Sequence, residues 1–435
     1  VFLGKDAGSS NTTGNMNIGI GHGAMDGGTV TGDNNIAIGP EAMDAVTSGN
    51  DNIGIGHETL TRLTTGASNI AMGNNALGQN TVTGNYNVAI GFFALGDDAG
   101  GSNNVAIGYT AGRDQIGVSG SVYIGENAGH SVSTGQENIA IGKDTMNGAA
   151  ITGKQNIGIG SEAVLDALTS GFYNTAIGAK ALSAVNTGHT NTAIGFQAGL
   201  SLTTASGSIA IGTSAMAVAT TGNNNIAIGN AAANGGNTTG DNNISIGTTS
   251  GDALTSGKDN VFIGKQAGID VNSGHSNVLI GLQAGHDLTT GFHNVAIGSL
   301  TLDECTDVDY AVCIGFAAGS SINSSDADST VAIGNESLLS LTDGQRNVAV
   351  GYAALKTEDT GDNSTAVGYE ALKVQNNNTG ANTAVGMRAG LSVSSGYSNT
   401  LLGSGAGATL STGYNNTYIG RDADGASGRI NSVAL

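Results

Sequence analysis

The sequence predicts an all-β chain, a parallel β-roll or β-solenoid of about 25 two-strand coils, and three observations lead there. A glycine returns every 17 to 19 residues from Gly4 to Gly420. The residue before it is always Ile, Val, Leu or Met, and a β-branched residue stands three positions before it in every copy, from Val1, Ile18 and Ile36 to Thr400 and Thr417. A second glycine, seven residues before the first, recurs in 19 of the 24 complete intervals. A fixed period of this length is the signature of stacked repeats, each of which can bury its apolar face only against its neighbours.

The first strand of each coil is the stretch that the marker glycine closes. In Thr31-Gly32-Asp33-Asn34-Asn35-Ile36-Ala37-Ile38-Gly39, Ile36 and Ile38 lie two apart, so an extended chain points them to one side and Ala37 to the other. A second pattern follows each glycine. A small residue stands three positions on (Ala42, Thr59, Ala76, Ala94), with apolar residues such as Met43 and Val46, or Leu60 and Leu63, just beyond it. This reads as a second short strand, so that two parallel sheets would face each other about 10 Å apart, with coils about 4.8 Å apart. Glycines at the corners are expected to supply positive φ and to interrupt any helix.

Four residues before the marker, Asn occurs in 19 of 24 copies, among them Asn17, Asn35, Asn52, Asn69, Asn87, Asn260 and Asn416. Stacked asparagines can hydrogen-bond along a ladder and satisfy turn backbone, which is a scaffold role. The position two before the marker is Ala or Gly in most copies, and otherwise residues such as Phe2, Tyr123, Phe262, Leu279, Cys313, Leu401 or Tyr418; only Ser245 is polar. With the Ile and Val layer taken as the interior, this slot faces outward. A strand apolar on both sides is buried on both sides, which predicts a parallel homo-oligomer packed along it.

Composition narrows the function classes. One proline among 435 residues and the absence of a three-residue glycine period exclude collagen, and a regularly placed 39% hydrophobic content excludes a disordered chain. A net charge of −20, from 34 acidic and 14 basic residues, disfavours nucleic acid and anionic membranes as partners. No run of about 18 apolar residues is present, so no membrane insertion is expected within this stretch. The repeat covers residues 1–435 as one continuous array, least regular over about 301–330. Val1 already lies in a repeat, and Leu435 stops one residue short of the next marker, so the stretch is expected to be a piece of a longer fibre.

The phrase Asn-Val-Ala-Ile-Gly at Asn104 to Gly108 and at Asn294 to Gly298 resembles the head repeat of trimeric autotransporter adhesins. The resemblance runs along essentially the whole chain and implies a left-handed roll wound as a homotrimer. The period here is longer than that family's 14 or 15, with an added Ala-Leu or Ala-Gly after the marker. That longer form is similar to repeats of predicted bacteriophage tail fibres.

No residue pattern suggests catalysis or a cofactor. The seven histidines, His22, His57, His130, His189, His275, His286 and His293, sit at corners without i, i+4 metal-ligand spacing and are read as solvated turn residues. The acidic residues between 303 and 328 (Asp303, Glu304, Asp307, Asp309, Asp326, Asp328) carry oxygen ligands suited to Ca²⁺, but at no established loop spacing; an ordinary solvated insertion is favoured. Cys313 is read as a small packed hydrophobe. The glycine motifs lack the helix that a nucleotide phosphate needs. The expected function is therefore a non-enzymatic fibre shaft, extracellular, with no catalytic, cofactor or metal site. A bacteriophage tail fibre acting in host attachment through a tip outside this stretch is favoured. A bacterial cell-surface trimeric adhesin head is the alternative, and an ice-binding solenoid is the least favoured reading.

Overall fold

The computed structural model describes residues 1–98, 100–148, 150–164 and 170–435, and all side chains among them except that of Asp326. Two compact units make up the chain, Val1–Thr221 and Gly222–Leu435. Each is a parallel β-solenoid, and the described residues hold 26 short strands and no α-helix. Each strand covers the residues between the Asn column and the marker glycine, for example Ile36–Ile38, Ile53–Ile55 and Val261–Ile263. Like meets like across the coils: Ile36 pairs with Ile53, Ala37 with Gly54 and Ile38 with Ile55. The longest repeat, between Gly315 and Gly334, holds a single 3₁₀ turn at Ser325–Ala327, yet its flanking strands still pair Val312 with Val331.

The expected second strand does not form among the described residues. After the marker glycine the backbone alternates in hand: Glu41 and Met43 have φ of 55° and 52°, and Glu58 and Leu60 have 54° and 50°. Among the described residues this side of the coils is a run of turns, so one true sheet is found in each unit instead of two. Stacking survives because the turns still bond from coil to coil. Met43 donates its main-chain N–H to Thr59 O (2.9 Å), Leu60 to Ala76 O (3.0 Å) and Leu77 to Ala94 O (3.0 Å). Extended pairing on this side is limited to isolated bridges such as Leu63 to Val82 and Val132 to Ile151.

The glycine columns have two different causes. At the markers φ is left-handed, +143° at Gly229, and a Cβ there would lie 2.5 Å from Gly247 O of the next coil. At the corner glycines the expected positive φ is absent. A Cβ on Gly66 would instead meet the carbonyl oxygen of Gly84 at 2.5 Å, so glycine is required there by the close approach of the next coil.

The strand faces are the reverse of the sequence expectation. Ala37, Tyr123, Phe262, Leu279 and Cys313 are fully buried, and with Ala42, Met43, Val46, Leu60 and Leu63 they fill the inside of the coil. The Ile and Val positions on either side point out. The inner slot is small because the single sheet lies close against its own turns, so a coil accommodates Ala far more often than Ile there.

Candidate functional site

The buried Asn column holds the strands in register from within. Asn35 donates Nδ2 to Gly49 O (2.8 Å), while its Oδ1 accepts both the main-chain N–H and Nδ2 of Asn52 (3.0 Å each). Asn52 in turn donates to Gly66 O at 2.9 Å. Each side chain thus satisfies a corner carbonyl and the next strand's entry N–H, groups that would be costly to leave unpaired in the interior. Where the column changes to Ser121, the main-chain N–H still bonds Asn104 Oδ1 (3.0 Å).

With the column fixed, the outer face of each sheet carries two aliphatic or β-branched side chains per coil. Ile38, Ile70, Met72, Ile107, Ile177 and Ile297 are all exposed, at between 36% and 39% of their full accessibility. Aromatic residues flank this stripe. Beyond its marker-glycine end, Phe92 stacks on Tyr109 (5.3 Å between ring centres) and Tyr352 on Tyr369 (5.2 Å). At the Asn end Phe172 stacks on His189 (4.8 Å), His275 on Phe292 (5.0 Å) and Tyr397 on Tyr414 (4.8 Å). A parallel array places identical columns one coil apart, which is why residues 17 apart in sequence come into ring contact.

The histidines divide by column. His189, His275 and His293 belong to the aromatic stacks. His130 lies 3.5 Å from Asp114, His286 2.5 Å from Asp287 and His57 3.9 Å from Glu58. Cys305 and Cys313 are both buried free thiols; desolvation pushes Cys305 up to about 12 and Cys313 higher still, far from a reactive thiolate. Two members of the acidic run from 303 accept main-chain bonds: Asp309 Oδ1 from Phe292 N (2.9 Å), and Asp328 Oδ1 from Asp309 N (2.7 Å). The side chain of Asp326 lies outside the described residues. One cluster escaped sequence reasoning because its members lie a full coil apart: ligand atoms of Asp270, His286 and Asp287 all fall within 4.8 Å of one another.

Two buried carboxylates stand in a mostly apolar inner column that also holds the fully buried Gln115 and Gln375. Asp98 accepts from Gly101 N (3.0 Å) and Asn104 Nδ2 (3.3 Å), and Glu358 from Gly361 N (2.7 Å) and Gln375 Nε2 (2.6 Å). Burial raises both above the ordinary carboxylate range, and no lysine or arginine pairs with either among the described residues.

No helix among the described residues is long and apolar enough to cross a membrane. No protein-family model matches the chain, and no curated protein matches it.

Proposed function

We propose that this chain is the shaft of a structural and adhesive fibre, assembled as a parallel homotrimer through the outward Ile, Val and Thr columns. The observation that carries the reading is the aliphatic stripe on each unit's sheet. The coil interior is already filled by the Ala slot, so the stripe has no partner within its own coil, and contiguous apolar faces of this kind mark contact surfaces. A second copy laid in parallel offers the same columns at the same spacing, which favours self-association over a partner of unrelated period.

The bacteriophage tail fibre is the favoured setting, on the strength of the long-period repeat. The fibre would then lie on the virion, outside the cell, and serve host attachment through a receptor-binding tip not contained in this stretch. A bacterial cell-surface adhesin head is the second reading, supported by the Asn-Val-Ala-Ile-Gly phrase. Neither role calls for catalysis.

Sedimentation equilibrium with negative-stain electron microscopy tests the assembly. Trimeric rods support it, and a folded monomer at micromolar concentration overturns it. Sequencing the flanking coding region separates the two settings: a four-strand membrane anchor downstream indicates the adhesin, and a virion-attachment or chaperone domain indicates the fibre.

A further inference from the structure

We propose that Asp270, His286 and Asp287 form a binding site for a divalent cation of the zinc type, with Asp303 of the following coil beside it. Each of the three offers one ligand atom, and all three atoms lie within 4.8 Å of one another, close enough for modest side-chain rotation to bring them onto one ion. The set is not purely acidic. An imidazole nitrogen with carboxylate oxygens suits zinc and its first-row neighbours better than calcium, which takes oxygen ligands.

The repeat supplies its own comparison. At the same register in the other unit, Asp97 donates its main-chain N–H to Arg113 O, and Asp114 donates to His130 O (both 2.9 Å). Here Asp270 donates to His286 O (3.2 Å) and Asp287 to Asp303 O (3.0 Å). Arg113 therefore corresponds to His286, and His130 to Asp303. Arg113 lies between its two aspartates, 3.8 Å from Asp97 and 3.6 Å from Asp114, and supplies the positive charge between stacked carboxylates. At the second site the arginine has become a histidine and the histidine an aspartate. No lysine or arginine among the described residues pairs with Asp270, Asp287 or Asp303.

A further observation concerns the neighbouring carboxylate. Asp303 Oδ1 is shut off from solvent and has no hydrogen-bond partner, although a buried carboxylate oxygen ordinarily has one. Desolvation holds the Asp303 carboxyl above its ordinary range, Asp287 and Glu304 add to that, and His286 opposes it. A dipositive ion on the three ligands would meet these carboxylates as Arg113 meets Asp97 and Asp114.

The test uses the full chain, stripped with chelator and titrated with zinc chloride by calorimetry, with cobalt(II) absorption as a report on nitrogen and oxygen ligation. The expected result is one saturable site per chain. His286→Arg, which restores the arrangement around Arg113, should stay folded by circular dichroism and bind zinc at least about tenfold more weakly. Asp270→Asn provides an independent check that removes a ligand without changing shape, and should weaken binding likewise. Absence of saturable binding, undiminished affinity in both variants, or a site that takes calcium in preference to zinc would each overturn the assignment.

Discussion

Asn52 gives both its main-chain N–H and its Nδ2 to a single oxygen, Oδ1 of Asn35, at 3.0 Å each. That shared acceptor couples one coil to the next on the buried side, and the same relation recurs at Asn243 with Asn260. Asn260→Ala should therefore cost about 1–3 kcal/mol by orphaning buried groups on both neighbouring coils. Asn260→Ser should cost less, because Ser121 already occupies this column and its Oγ still accepts the main-chain N–H of Asn138 in the next coil, at 3.2 Å. Amide hydrogen exchange around residues 243–277 reads the effect; equal protection in the Ala variant and the parent would contradict it.

The reversal of the strand faces yields a second test. Ala227 is fully buried inside its coil, whereas Ile228 lies on the outward stripe and is partly exposed. Ala227→Asp should disrupt the coil itself, by placing an unpaired charge where no partner exists, and should reduce the sheet signal in circular dichroism. Ile228→Asp should leave the coil folded and weaken association of copies, visible as a lower sedimenting mass. The opposite pattern would restore the sequence-based orientation.

Two glycines separate steric from conformational need. Gly66 has no positive φ, but a Cβ would lie 2.5 Å from Gly84 O, while Gly117 has φ of +66° and open space around it. Gly117→Ala should cost roughly 1–2 kcal/mol from the left-handed backbone alone. Gly66→Ala should cost more, since two coils must separate to admit a methyl group. Thermal melts of the two variants rank them.

The buried carboxylates set a pH dependence with a definite sign. Glu358 holds its proton more tightly when folded than its ordinary value of 4.5, and Asp98 more tightly than 3.8, in both cases chiefly through desolvation. The folded state therefore gains stability as pH falls through each raised pKa, and the gain is complete below the ordinary value. Melting temperature should rise on going from about pH 7 to about pH 5. Replacing Glu358 and Gln375 together by Leu, the residue that Leu288 and Leu341 place in this inner column, should flatten that dependence and leave neutral-pH stability equal or higher. A parent that melts lower at the more acidic pH would refute the assignment.

Much of the architecture is legible in the sequence. The marker glycine, the β-branched residue three before it and the Asn column locate every internal strand, and like-on-like register follows because identical residues stack at a fixed period. The second strand is misread because Met43 or Leu60 in an apolar pattern looks the same whether its φ is near −120°, as in an ordinary strand, or near +50°, as found. Side-chain periodicity carries no sign of φ, and non-glycine residues seldom take that conformation.

The sequence by itself determined the period, the strand positions, the parallel stacking and the polar ladder, because each of these depends on spacing along the chain. Tertiary structure alone decided which face of Ile36-Ala37-Ile38 is the core, since alternation defines two faces without orienting them and the narrow coil then selects the smaller one. It alone also brought Asp270 to His286 and Asp287, because residues one coil apart become neighbours only when the array stacks at the spacing of a β-ladder.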